Sequence, residues 1–219
     1  MLNVVIFIAI NVPLTVLVGL VLATALNAAI PFRTFFRASY FVPYVTASVA
    51  VIGVWLWLFN SGGLVNAILG PVAPDPSWLV NSFWAMPIIA LFATWKQLGL
   101  YVLLYLAALQ NIPEELYEAA EVDGAGPVKR FTAVTVPGVR PTTTLVVIAA
   151  TITGANFFTE PYLLTGRGGP AGASVSPVLL MYTQGIEQGK AGYAAAIGIL
   201  LALGVMVISL VNRFLLERS

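Results

Sequence analysis

An all-α polytopic membrane protein of about five transmembrane helices is the fold class that this sequence predicts, on three observations. Hydrophobic residues make up 59% of the 219 and charged residues 9%. A soluble domain carries about 25% charged residues, so this chain has too little polar surface to stay dissolved. Five stretches are each long enough, at about 20 mostly apolar residues, to cross about 30 Å of hydrocarbon. None shows the alternating pattern of a barrel strand, and an open sheet edge finds no hydrogen-bond partner in lipid, so helices are the default.

Residues 2–30 are the first predicted span. The run lacks a basic leader and is longer than a signal-peptide core, so it reads as a span and not as a cleaved signal. The second span is expected over 40–59, followed by "NSGGLVNAILGPVAPDPSW", whose Gly and Pro content predicts a loop with one short helix. Residues 83–109, 142–164 and 192–210 are the third, fourth and fifth spans. The fifth carries Ala194, Gly198 and Ala202 at four-residue spacing. Small residues so placed let helices approach closely, which fits ordinary packing better than a solute path. No internal duplication of the kind that builds many secondary transporters is visible.

Basic residues set the expected orientation, because cytoplasmic loops are enriched in Lys and Arg. Arg33 and Arg37 follow the first span, Lys129, Arg130 and Arg140 the third, and Arg213 and Arg218 the fifth. Only Arg167 and Lys190 lie on the opposite side. Seven against two puts the N-terminus outside and the C-terminus in the cytoplasm. Trp55, Trp57, Trp78 and Trp84 gather at the outer end of spans two and three, and Phe32, Phe35, Phe36 and Tyr40 at the inner side, as an interfacial aromatic belt would.

Eight of the nineteen charged residues fall within 111–141, on the expected cytoplasmic side. The segment reads as two short helices. Pro113 suits a first helical position, and Glu114 and Glu115 place negative charge where the helix dipole favours it. Asp123-Gly124 offers a stop, since Gly takes the left-handed C′ conformation at little steric cost. Pro127 can open the second helix, and Pro137 and Pro141 can end it. Leu116, Ala119 and Ala120 share one side of the first helix, with Glu118 and Glu121 flanking it. Paired alanines offer a low-relief surface to another protein, and Glu118 offers a partner for Arg or Lys. The alternative is a helix lying on the membrane, which its acidity disfavours against anionic lipid.

Glu118-Ala119-Ala120, Gly124 three residues after the second alanine's neighbour Glu121, and Val136-Pro137 further on closely resemble the cytoplasmic "EAA" loop of permease subunits in binding-protein-dependent ABC importers. Asp123-Gly124-Ala125 and Phe131 also fit; Val134 and Val136 stand where that family usually has Ile and Leu. The resemblance extends over nearly the whole chain and is closest to the carbohydrate-type permeases of the maltose and glycerol-phosphate group. It is carried by "FRTFFRASYFVPYVTASVAVIGVWLWLFNSGGLVN", "ALQNIPEELYEAAEVDGA", "YLLTGRGGP" and "GYAAA". "LTGRGGP" is one residue longer than the usual LT-x-GGP. The family usually has six spans, and this chain starts at the second. The resemblance implies a single transmembrane permease domain over 1–219 with its coupling loop at 111–141, in a bacterial-type inner membrane. It implies a second permease subunit, two cytoplasmic ATPases docked on the loops, an extracytoplasmic solute-binding protein and a sugar-like solute, and it implies no cofactor. Glu118, Ala119, Ala120, Asp123, Gly124 and Pro137 are the ATPase-coupling residues on this reading.

Polar residues inside the spans are the remaining candidates. Lys96 lies near the middle of the third span, where an ionisable group is costly and faces a bundle interior or water. It is either a solute-pathway contact or a structural partner of a neighbouring helix carbonyl or carboxylate. Glu160 lies eighteen residues past Thr142, about 27 Å along a helix, which sets it near the outer surface and away from Lys96. Gln97, Thr153 and Asn156 could hydrogen-bond a polyol or bind helices together. The chain has no Cys and no His, which removes disulfides, thiolate chemistry, Cys/His metal sites and imidazole catalysis. A net charge of +1 gives no electrostatic case for nucleic acid. No G-x-x-x-x-G-K-[ST] phosphate loop occurs, since "GIEQGKA" fails the spacing, so a powered transporter built on this chain would need a partner to supply the ATP site. An ion-coupled secondary transporter would show intramembrane carboxylates and repeats. A non-transporting scaffold would use the loop for docking alone.

Overall fold

The computed structural model describes residues 1–27 and 33–217; the predicted end of the first span at 28–30, Phe32, Arg218 and the C-terminal Ser219 lie outside them. The described residues form α1 (Leu2–Asn27), α2 (Arg33–Val45), α3 (Ser48–Leu58), α4 (Leu64–Leu69), α5 (Ala85–Leu109), α6 (Glu114–Val122), α7 (Pro127–Arg130), α8 (Val136–Gly138), α9 (Arg140–Ala155), α10 (Thr159–Leu163), α11 (Pro177–Tyr182) and α12 (Ala191–Glu217). No strand occurs among them. Leu2–Asn27, Ala85–Leu109, Arg140–Leu163 and Ala191–Phe214 are each long and apolar enough to cross a membrane. The pair Phe35–Val45 and Ser48–Leu58 makes a fifth if it counts as one span.

α1 and α5 form the central pair, with α9 against both and α12 outside α9. On α1, Val4, Phe7, Asn11, Thr15, Gly19, Ala23 and Leu26 are buried at three- to four-residue spacing, the stripe that a helix needs to face one neighbour along its length. Two apolar clusters result. One holds Phe7, Ile52, Trp55, Ile89 and Phe92, the other Leu20, Tyr101, Tyr105, Val139 and Val146. Polar side chains join helices within this apolar packing. Asn11 Nδ2 donates to Thr94 Oγ1 at 2.8 Å, Tyr105 OH to Thr143 Oγ1 at 3.3 Å, and Asn212 Nδ2 to Thr151 Oγ1 at 3.3 Å. Asn3 Nδ2 donates to the carbonyls of Gly172 and Val175 at 3.0 and 2.9 Å, so the start of α1 lies on the same side as the loop after α10. In α12, Ala194 approaches Gly185 and Gly198 approaches Met181, as ordinary packing of a small-residue stripe requires, while Ala202 is exposed.

The expected second span is not one straight helix. α2 and α3 meet at 99°. Ala47 is extended at φ −58° and ψ 126°, and Pro43 has no N–H with which to continue the helical ladder. The fourth span is also interrupted. α9 ends at Asn156 (φ −99°, ψ 15°), and Phe158 (φ −135°, ψ −51°) redirects the chain into α10, which rests against α3 and α5. The outer aromatics differ from a simple belt as well. Trp55 and Trp78 are buried, with Trp55 stacked on Phe59 at 5.2 Å and Trp78 edge-on to Phe59 at 5.9 Å, whereas Trp57 is exposed. The Trp78 indole finds Asn66 Oδ1 at 2.6 Å, which lets a polar ring sit inside the packing.

Candidate functional site

The charged loop folds as a helix, a tight reversal and a second helical stretch. α6 starts at Glu114, with Pro113 as its cap at φ −58° and ψ 132°, one residue before the expected first turn. It ends where Gly124 takes φ +73°. The N–H of Gly124 bonds the carbonyl of Glu121 at 2.9 Å, and the N–H of Ala125 bonds that of Ala120 at 2.9 Å. This pair of bonds satisfies the last helical carbonyls and is the Schellman closure that a C′ glycine supports. Nothing lies within 4 Å of where a Cβ on Gly124 would sit, so the demand for glycine there is one of backbone conformation and not of space. Pro127 opens α7 as expected.

Pro137 does not end the second helix. The chain passes from α7 through a wide helical turn at Phe131–Thr135 into α8, which contains Pro137, and the break comes at Val139 (φ −95°, ψ 7°) before α9. Wide turns leave backbone groups out of the regular ladder, which removes the clash that a proline would otherwise cause. Pro141 stands in the first turn of α9 instead, where its missing N–H costs nothing.

Glu118 and Ala119 are exposed on α6, with Ala120 half-buried beside them. Glu121 points back to the second helix and pairs with Arg130 at 2.8 Å, and Tyr117 OH meets Thr135 Oγ1 at 3.0 Å. These two contacts hold α6 against the following segment and leave Glu118 outward. Leu116, Val122 and Val128 are 52%, 88% and 78% exposed, three apolar side chains beside the acidic face. The two valines escaped the sequence reading, because an apolar residue in an amphipathic helix is read as buried until the neighbours are known.

Of the polar residues within the spans, Gln97, Thr153 and Asn156 line one cavity of about 190 Å3, together with Phe7, Phe158 and Glu160. Lys96 does not line it. Its Nζ donates to the carbonyls of Thr46, Pro43 and Tyr44 at 2.9, 3.3 and 3.5 Å, the groups freed by the break between α2 and α3. Close passage of α2 at this point depends on Gly99, where a Cβ would collide with the carbonyl oxygen of Tyr40. Asn156 gives its amide to the carbonyl of Ile152 at 2.7 Å, so its Oδ1 remains available to accept. Tyr101 OH donates to Gln97 Oε1 at 3.4 Å.

Glu160 joins this cavity although the sequence gives it no part there. The expected distance of Glu160 from Lys96 assumed an unbroken helix; the turn at 156–158 brings Glu160 into the cavity lining with Asn156, and no ion pair with Lys96 occurs among the described residues. No cluster of three or more carboxylates that could hold a metal ion occurs among the described residues.

Residues 4–219 match the family described as binding-protein-dependent transport system inner membrane component. The arabinooligosaccharides transport system permease of Bacillus subtilis is 35% identical over 199 residues, which cover 89% of this chain and 64% of that one. The lactose transport system permease of Rhizobium radiobacter is 34% identical over 218 residues, 97% of this chain and 73% of that one. This chain therefore spans roughly two-thirds of the length of these relatives. Among solved structures, a chain of a bacterial alginate ABC transporter, in complex with its alginate pentasaccharide-bound periplasmic protein, superposes with a TM-score of 0.81. The superposition covers 100% of this chain and 77% of that one at 24% identity, and it bears on the fold alone. The chain belongs to the family of binding-protein-dependent transport system inner membrane components.

Proposed function

We propose that this chain is the permease subunit of an ATP-driven importer and that it moves a sugar or sugar-like solute by alternating access. The family match over residues 4–219 carries this reading. The names of the relatives, arabinooligosaccharide and lactose permeases, support a saccharide. In this reading the polypeptide is a single transmembrane domain over 1–219, with its N-terminus outside and its C-terminus in the cytoplasm. It performs no covalent chemistry. A second permease subunit, two cytoplasmic ATPases and an extracytoplasmic solute-binding protein complete the machine.

The parts then divide as follows. Glu118, Ala119, Ala120, Asp123 and Gly124 form the ATPase-facing unit. Ala119 permits close approach, Glu118 pairs with a basic group, and Leu116, Val122 and Val128 bury on docking. Pro137, in α8, belongs to the joint that carries motion from this unit into α9. Gln97, Thr153 and Asn156 offer hydrogen bonds to hydroxyl groups. A cavity of about 190 Å3 falls below the roughly 300–1,000 Å3 of a complete small-molecule site, and the exposure of Thr153 and Asn156 suits one wall of a site that the second permease closes. Lys96 holds the broken helix beside this wall.

The test is purification of the tagged chain from its native membrane, followed by reconstitution and uptake assays with sugars, polyols, amino acids and phosphate esters. Copurification of a second permease and an ATPase, with ATP-dependent saccharide uptake, is the expected result. Uptake of amino acids alone would overturn the saccharide assignment. Purification of the intact chain without any ATPase would favour a scaffold.

A further inference from the structure

Glu160 is the one ionisable side chain among the described residues that line the cavity of Gln97, Thr153 and Asn156. Lys96, the nearby cation, has its ammonium committed to the carbonyls of Pro43, Tyr44 and Thr46 and stands outside the lining. The side chains that line the cavity thus include one carboxyl group and neutral hydrogen-bonding groups, and no basic group among the described residues. A carboxylate accepts hydrogen bonds and donates none. Sugar hydroxyls supply donors to it, an amino sugar supplies a charged donor, and a uronate brings a second negative charge to within a few ångströms.

We propose, resting on the saccharide reading above, that Glu160 is a specificity-determining residue that admits uncharged and amino-bearing saccharides to this cavity and rejects uronates. Like charges about 6 Å apart at an effective dielectric of about 20 discriminate on the order of tenfold to a hundredfold. Glu160 stands at the turn where the chain leaves α9 for α10. A change in that turn therefore alters solute selection without touching the charged loop.

The experiment uses the purified complex of this chain with its partner permease and ATPases, without a binding protein, so that the selectivity measured is that of the membrane part. Trisaccharides of glucose, glucosamine and glucuronate are titrated by calorimetry at pH 7. The wild-type complex should bind the first two at least about tenfold more tightly than the third. Glu160→Gln should close that gap between the neutral and the glucuronate trisaccharide, and Glu160→Asp, which keeps the charge, should preserve it. An unchanged gap in Glu160→Gln overturns the inference and leaves the saccharide reading standing. Binding of none of the three by the wild-type complex overturns both.

Discussion

Lys96 brings its amino group to the level where α5 passes the break between α2 and α3, and three carbonyl oxygens receive it. Breaking a helix frees carbonyls that have no other partner in an apolar surround, and an ammonium with three donors answers three of them at once. Hydrogen bonds to a charged group contribute roughly 1.5–3 kcal/mol. Lys96→Met should therefore destabilise the protein by about that amount, read as a lower Tm in detergent, and Lys96→Arg should recover part of the loss. Solute affinity should fall only in proportion to the loss of folded protein. If Lys96→Met keeps the wild-type Tm but changes which solute binds, the ammonium faces the solute and not the break. The choice between these two roles was open in the sequence because the partners of Lys96 lie about 50 positions away on a segment expected to be straight. Glu160 was hidden for a related reason. Its position depends on the turn at 156–158, and neither Asn156 nor Phe158 announces a helix break by residue type alone.

At the scale of elements, the charged loop shows what local chemistry makes legible. Asp123-Gly124 predicted a left-handed closure of α6, and Gly124 has φ +73° with both closing bonds in place. The closure involves only neighbours in sequence, so it could be read without knowing the fold. Pro137 was read as a terminator by the same logic, but the wide turn at Phe131–Thr135 accommodates it. That turn is a property of how the segment meets the bundle, where the Ile112 side chain lies over Gly138. The loop also yields a test of its proposed role. Gly124→Val places a β-branched residue at positive φ, a strain of about 1–3 kcal/mol, with open space around the new side chain. Glu118→Ala removes an exposed charge that has no structural partner to lose within the loop's own ion pair of Glu121 and Arg130. Both variants should insert in the membrane normally, yet retain less ATPase or hydrolyse ATP without matching uptake. A desolvated ion pair that loses one partner costs roughly 2–5 kcal/mol, enough to lower ATPase retention at least tenfold. If both variants keep wild-type retention and uptake, the acidic helix is a solvated connector.

For the molecule as a whole, the order of elements fixes which segments share a side before it fixes which side is the cytoplasm. The bonds from Asn3 to Gly172 and Val175 join the start of α1 to the loop after α10. In the proposed five-span reading, one further crossing, α12, carries the C-terminal end to the opposite side, together with α6, α7 and α8. Counting α2 and α3 as one broken span reconciles the 99° bend with five crossings. The absolute orientation is proposed from the basic residues, seven of which follow the first, third and fifth predicted spans against two that follow the fourth. The chain has no cysteine, so single introduced thiols report sidedness directly. Ser61 lies in the exposed turn before α4, and Val128 is 78% exposed in α7. In intact cells whose outer barrier has been opened, Ser61→Cys should react with a membrane-impermeant maleimide. Val128→Cys should react only after lysis of the inner membrane. The reverse pattern would place Glu118, Ala119 and Gly124 out of reach of any cytoplasmic ATPase, and the coupling role would fall with the orientation. Equal labelling of both thiols from outside would instead break the count of crossings, because α5 is the one helix between the two positions, among the described residues, that is long and apolar enough to cross a membrane. The experiment thus separates an error in the count of crossings from an error in their direction.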